Sequence, residues 1–178
     1  MRLRPVTHSQ KCCVLIDGNY IDRLSKSVRF DFLEFADFLR AKFQITNFVY
    51  FTIVPLYEDV FPKRRLLDWL SYNGFVVREK TSKRYGTAEV GEACGSLSLE
   101  IALCALDACV HADGFVLVTD DSDMCAAIFA LQRKNKWVAL VGSGRGSGPG
   151  LCNDLRRAAD VCFPISEVFA PVGKPNAP

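Results

Sequence analysis

The sequence predicts a three-layer α/β fold in which one parallel sheet carries helices on both faces. Three observations lead there. Short runs rich in Val, Ile and Phe alternate with stretches whose apolar residues recur at helical spacing. The short runs are apolar throughout, as strands buried on both faces are. Two of them, Val14-Leu15-Ile16 and Val116-Leu117-Val118, stop abruptly in acids: Asp17-Gly18-Asn19 after the first, and Thr119-Asp120-Asp121-Ser122-Asp123 after the second. Residues that follow a strand lie at its carboxyl end, where open α/β sheets bind ligands. For the two acid-ended strands to be neighbours, the order must be 3-2-1-4-5, an open Rossmann-like sheet whose switch point falls between them.

The elements follow in order. Residues 1–11 read as a flexible leader. Cys12 to Asp17 is strand one, and Phe32, Phe35, Ala36 and Leu39 mark a helix within Phe30 to Phe43. Phe48 to Val54 is an aromatic, β-branched strand stopped by Pro55. Pro62 can open a helix with Leu66, Leu67 and Leu70 on its buried face, and Asn73-Gly74 can close it. Phe75 to Val77 is strand three. Residues 80–96 are polar and unpatterned, a long connection. Ser96 to Val110 is a helix with Leu99, Leu103, Leu106 and Val110 on one stripe, read as its core face. Phe115 to Thr119 is strand four. Ser122 is placed to cap the helix that runs to about Lys134. Trp137 to Val141 is strand five, and Gly142 to Gly150 is a glycine-rich loop. A short helix, Leu151 to Ala159, and a short strand, Val161 to Pro164, complete a single domain spanning 12–168. Residues 169–178 read as a flexible tail.

Bulk properties exclude several classes. A chain of 178 residues, 49% hydrophobic, is long and apolar enough for one full core. No run approaches the roughly 20 apolar residues of a membrane span, and the basic start Met1-Arg2-Leu3-Arg4-Pro5 is not followed by a signal-peptide core, so a cytoplasmic protein is expected. The eight cysteines include no C-x-x-C pair, and most lie in apolar runs, as Cys12, Cys13 and Cys162 do; they read as reduced core thiols. Net charge is only +2, yet basic residues cluster at Lys63-Arg64-Arg65, Arg78 to Arg84, Arg133-Lys134 with Lys136, and Arg156-Arg157. Such patches either contact phosphate or form solvated faces.

Asp17, Asp121 and Asp123 are the candidates for chemistry. Clustered carboxylates repel one another and persist where a cation or a proton holds them. An all-oxygen site suits Mg²⁺ or Mn²⁺. Asn19 offers an amide to orient a carboxylate or a phosphate. The competing reading of Asp120, Asp121 and Asp123 is that they complement a helix N-terminus.

In its order of elements and in these motifs the chain resembles the NYN domain, the LabA-like branch of the PIN-like nuclease superfamily. That pattern runs D-G-x-N after strand one, then K-G-x-D at a helix start, S-G-D-S-D-F after a later strand, and L-x-x-x-A-D near the end. Here Asp17-Gly18-Asn19-Tyr20 stands for the first, with the asparagine one place early. Thr119-Asp120-Asp121-Ser122-Asp123-Met124 stands for the third, and Leu155 to Asp160 for the last, with one residue more between Leu and Asp. The K-G-x-D start departs most. Gly95 stands where lysine is expected, Ser98 where the acid is, and Cys104 where a further acid often follows. Candidate substitutes are Glu89, Glu92 and Glu100, the last on a helix face opposite the leucine stripe.

The resemblance implies a PIN-like sheet and Mg²⁺- or Mn²⁺-dependent endonucleolytic cleavage of RNA. Asp17, Asp121 and Asp123 would hold the metal, directly or through water, and Asn19 and Thr119 would position a phosphate or an aspartate. Asp120, in place of the family's glycine, could restore negative charge. Ser98 would be a poor ligand beside a carboxylate, and Asp160 could serve the site or merely brace the sheet end. Lys83, Arg84, Arg145 and Arg156 would hold the RNA backbone. The alternative is an RNA- or protein-binding module on the same fold, crippled by the missing acid. An aspartyl phosphatase wants D-x-D where Asn19 stands. The alternating glycines of 142–150 never form G-x-G-x-x-G. With only His8 and His111, and no G-x-S-x-G, a serine or cysteine nucleophile lacks its partners. Tyr57, Phe61 and Trp69 read either as core or as a homo-oligomer interface.

Overall fold

The computed structural model describes residues 10–55, 61–82, 96–142 and 151–167. In chain order they form β1 (Lys11–Asp17), α1 (Gly18–Leu24), α2 (Phe32–Arg40), β2 (Gln44–Val54), α3 (Arg64–Tyr72), β3 (Phe75–Thr81), α4 (Ser98–Ala108), β4 (Gly114–Val118), α5 (Met124–Arg133), β5 (Trp137–Gly142), α6 (Asn153–Ala158) and β6 (Val161–Pro164). The strands make one sheet in the order β3-β2-β1-β4-β5-β6. Every pairing is parallel. The predicted order 3-2-1-4-5 is therefore the observed one, with the last short strand added beside β5. β1 and β4 are adjacent, with Ile16 opposite Val118, so their acid-bearing ends leave the sheet side by side.

Side chains alternate between two cores. Val14, Ile16, Tyr50, Val116 and Val118 face α1, α2 and α3, which contribute Tyr20, Phe35, Leu39 and Leu70. Cys13, Leu15, Phe51, Phe115 and Leu117 face α4, α5 and α6, which contribute Ile101, Ile128 and Leu155. Strands covered on both faces need apolar side chains in both directions, which is why the runs do not alternate. Among the described residues the cysteines are free, and burial pushes the Cys12 thiol up to about 11 and the Cys13 thiol up to about 12.

Several elements differ from expectation. α1 starts at once after β1, a helix the sequence reading does not include; its signal is the helical spacing of Tyr20, Ile21 and Leu24, all buried. β2 begins at Gln44 rather than Phe48, because its first half is exposed and needs no apolar pattern. β3 runs on to Thr81 for the same reason: it is an edge strand, and its Arg78 to Thr81 half carries polar side chains. α4 is turned over. Leu99, Leu103 and Val110 are 65%, 54% and 77% exposed, whereas Leu97, Ile101 and Ala105 are buried against the sheet. α5 starts at Met124, and its approach is tied by Asp121, which accepts from the Asp123 N–H at 3.0 Å, rather than by Ser122. α3 closes as expected, at Gly74 with φ +84°, a left-handed conformation that suits glycine. Among the described residues no helix is long and apolar enough to cross a membrane.

Candidate active site at the carboxyl edge of the sheet

Asp17 is the last residue of β1 and the N-cap of α1. One carboxylate oxygen accepts from the Asn19 N–H at 2.9 Å and the Tyr20 N–H at 3.3 Å, which caps the start of the helix. The other accepts from Thr119 Oγ1 at 3.2 Å. Gly18 is needed here for close approach: a Cβ on it would lie 2.5 Å from the Phe51 carbonyl oxygen and 2.8 Å from the Tyr50 hydroxyl. The helix thus packs tightly over β2 and holds Asp17 at the mouth.

Thr119 follows β4 and is 1% exposed. Its hydroxyl donates to Asp17 and accepts from the Asp121 N–H, both at 3.2 Å. Asp17 and the backbone of Asp121 therefore lie within two hydrogen bonds of each other through one oxygen. Asp121 turns its carboxylate to α4: Oδ2 accepts from Ser98 Oγ at 2.5 Å and from Ser96 Oγ at 3.2 Å. Ser96 Oγ also accepts from the Ser98 N–H at 3.1 Å, which pairs one of the free donors at the start of α4.

The two acids are tuned in opposite directions. Burial raises the Asp17 carboxyl above the ordinary carboxylate range, and the bonds from Tyr20, Thr119 and Asn19 and the charge of Arg23 offset only part of that. Burial also pushes Asp121 up, but the hydrogen bonds from Ser98, Asp123 and Ser96 and the charge of Arg23 outweigh it and leave Asp121 below that range. Separated acids of this kind divide proton-holding from charge-holding work.

The remaining sequence candidates fall in different places. Asn19 reaches the site through its backbone N–H. Asp120 is bound by Arg23, with Nη2 2.5 Å from Oδ1. Asp123 is exposed and meets Asp121 through its own N–H. Among the described residues no three His, Cys, Asp or Glu side chains gather into a metal-ligand group. Ser98 does reach the site, at the position where the resemblance places an acid. Glu100 pairs one oxygen with Lys80 Nζ at 2.8 Å, and the same amine donates to the Ser96 carbonyl. Asp160 is at the opposite edge. It accepts from the Val138 N–H at 2.8 Å, near the start of β5, and its own N–H donates to the Val138 carbonyl. Arg156 is exposed in the last turn of α6. Lys83, Arg84, Glu89, Glu92 and Arg145 lie outside the described residues, as does Tyr57. Phe61 is packed against the core, and Trp69 is 39% exposed. Two residues of the site were missed. Arg23 has no motif, only its place one turn and a half into the helix after the first acid; Ser96 was legible as the first hydroxyl of Ser96-Leu97-Ser98.

The open parallel sheet, with carboxylates at the ends of its two central strands, has the Rossmann-like architecture of the PIN-like class. Within it, the NYN domain model matches residues 11–166, and the chain belongs to the NYN domain family. A crystal structure of a Vibrio parahaemolyticus protein of unknown function is similar at TM-score 0.71 and 22% identity, covering 95% of this chain and 100% of that one, a likeness of fold. No curated protein matches the chain.

The donor set fits a hard divalent cation of low demand. An ionised carboxylate has about four lone-pair positions. Asp17 uses three of its own on Asn19, Tyr20 and Thr119, and Asp121 uses three on Asp123, Ser96 and Ser98. Among the described residues, that leaves each acid one position for a ligand. Mg²⁺ commonly keeps several waters and takes one or two carboxylates beside substrate phosphates.

Proposed function

We propose that this NYN domain is a metal-dependent endoribonuclease working with a reduced set of acids. The observation that carries the proposal is the Thr119 hydroxyl, which ties the Asp17 carboxylate to the Asp121 backbone across the gap between β1 and β4. Asp17 and Asp121 would hold Mg²⁺ or Mn²⁺ directly and Asp123 through water. When bound, such a cation supplies positive charge against a phosphodiester and acidifies water. The protein's own part is positional. Thr119 fixes both acids, the Asn19 and Tyr20 N–H groups lock the Asp17 rotamer, and Ser96 and Ser98 hold Asp121 ionised.

The second reading, an RNA-binding module with little or no catalysis, is favoured by one observation. Ser98 donates a hydrogen bond to Asp121 where the resemblance expects a further carboxylate. One experiment separates the two. Purified protein is incubated with labelled single-stranded RNA and Mn²⁺, and the same is done with Asp121→Asn. Cleavage that falls at least about a hundredfold in the variant supports the nuclease. Cleavage that survives the substitution unchanged shows that the assigned site is wrong. RNA binding without cleavage establishes the second reading.

A further inference from the structure

We propose that Arg23 is a phosphate clamp at the mouth of this site, held in position by Asp120, and that it takes the backbone of a single-stranded RNA. This rests on the reading of the site as one that receives RNA. The guanidinium comes from the last turn of α1, the helix that starts on Asp17, and its partner lies between Thr119 and Asp121. The pair therefore closes across the gap between β1 and β4.

The pair is unequal in exposure. The Arg23 side chain is 47% exposed and Asp120 is 17% exposed. The acid is the anchor and the guanidinium faces outward. Arginine presents five N–H donors in a planar fork that matches phosphate geometry. The bond to Asp120 engages Nη2 alone, leaving a face of the fork for a non-bridging phosphate oxygen. An acidic crevice repels a polyanion, so it gains from a fixed cation at its rim that does not itself need a metal. Asp120 explains how a flexible side chain is kept there: it fixes the fork before substrate arrives, which lowers the ordering cost of binding. Its occurrence where the family pattern has glycine gives Asp120 a role that restoring negative charge does not.

The test measures binding without turnover. Anisotropy of a short fluorescein-labelled single-stranded RNA is followed in EDTA across a KCl series, with thermal melts as the check on folding. Arg23→Gln is expected to weaken binding about tenfold and to lower the slope of log K against log salt by about 0.7, one phosphate contact on a single strand. Arg23→Lys should restore the slope and only part of the affinity, since it keeps the charge and loses the fork. Asp120→Asn should fall between wild type and Arg23→Gln. The control is Arg40→Gln, which removes the same charge from the exposed end of α2; it should match wild type. If Arg23→Gln matches Arg40→Gln in affinity and slope, or if wild type does not bind the RNA, the clamp is overturned. A separate Mn²⁺ cleavage arm isolates the parent reading: wild type that binds with the Arg23-dependent slope and cuts nothing leaves the clamp standing and removes the nuclease.

Discussion

Asp17 is held against its own solvation. The residue is 4% exposed, and burial keeps its proton affinity above that of an unfolded aspartate. An acid raised in this way contributes stability that is present below the unfolded pKa and lost as pH rises through the folded one. The fold therefore carries a penalty at neutral pH that the neutral amide would not. Asp17→Asn keeps the acceptor for the Asn19 and Tyr20 N–H groups, and the Thr119 hydroxyl can rotate to accept from the new amide. We expect the variant to be more stable than wild type at pH 7 and the two to converge at acid pH. Urea denaturation across that range checks it, and a variant less stable than wild type at every pH would refute the assigned sign. The neighbouring glycine is a contrary case. Gly18→Ala must push its methyl group against the Phe51 carbonyl and the Tyr50 ring, both in a fully packed core. A loss of about 1–3 kcal/mol is expected in the same denaturation assay. Asp17, Thr119 and Asp121 were legible because each stands at a strand end, and strand ends are marked by the stop of an apolar run. Arg23 was not legible, since its importance depends on which helix crosses which crevice.

At the scale of elements, α4 shows how periodicity can identify a helix and choose the wrong face. Leu99, Leu103, Leu106 and Val110 recur at four, three and four residues, a regular stripe, yet the sheet takes Leu97, Ile101 and Ala105 instead. Both faces of α4 are apolar, so spacing alone could not rank them. Two structural constraints do rank them. Ser98 must point at Asp121, and Ile101 and Ala105 lie one and two turns further along that same face. The small Ala105 also permits close approach to the strands. Ile101→Ala should cost about 2–4 kcal/mol in urea denaturation. Leu99→Ser, at a position 65% exposed, should change stability by no more than about 0.5 kcal/mol. The reverse ranking would restore the leucine stripe as the core face. The same logic explains the strands. β1, β4 and β5 were read within a residue or so at their ends because they are covered on both sides. β2 and β3 were read short because half of each is exposed and follows no apolar rule.

At the scale of the whole molecule, the sheet has two edges with separate duties. The carboxyl edge gathers Asp17, Thr119, Asp121 and the Arg23–Asp120 pair. At the amino edge, Asp160 secures the start of β5. β4, of five residues, spans about 17 Å between them. The late acid of the sequence pattern thus belongs to the scaffold, which a linear motif cannot reveal because it carries no information on which end of a strand a residue occupies. Asp160→Ala leaves the Val138 N–H, in a residue with no exposed surface, without its side-chain acceptor, a loss of about 1–3 kcal/mol. Asp17→Asn should raise stability and abolish Mn²⁺ binding measured by calorimetry, while Asp160→Ala should lower stability and leave that binding intact. Because the two acids share no hydrogen-bond partner among the described residues, the stability changes of the double variant should add to within about 0.5 kcal/mol. A coupling well beyond that value would mean that the two ends of the sheet do not act independently. The acid at residue 160 would then have to be counted as part of the site after all.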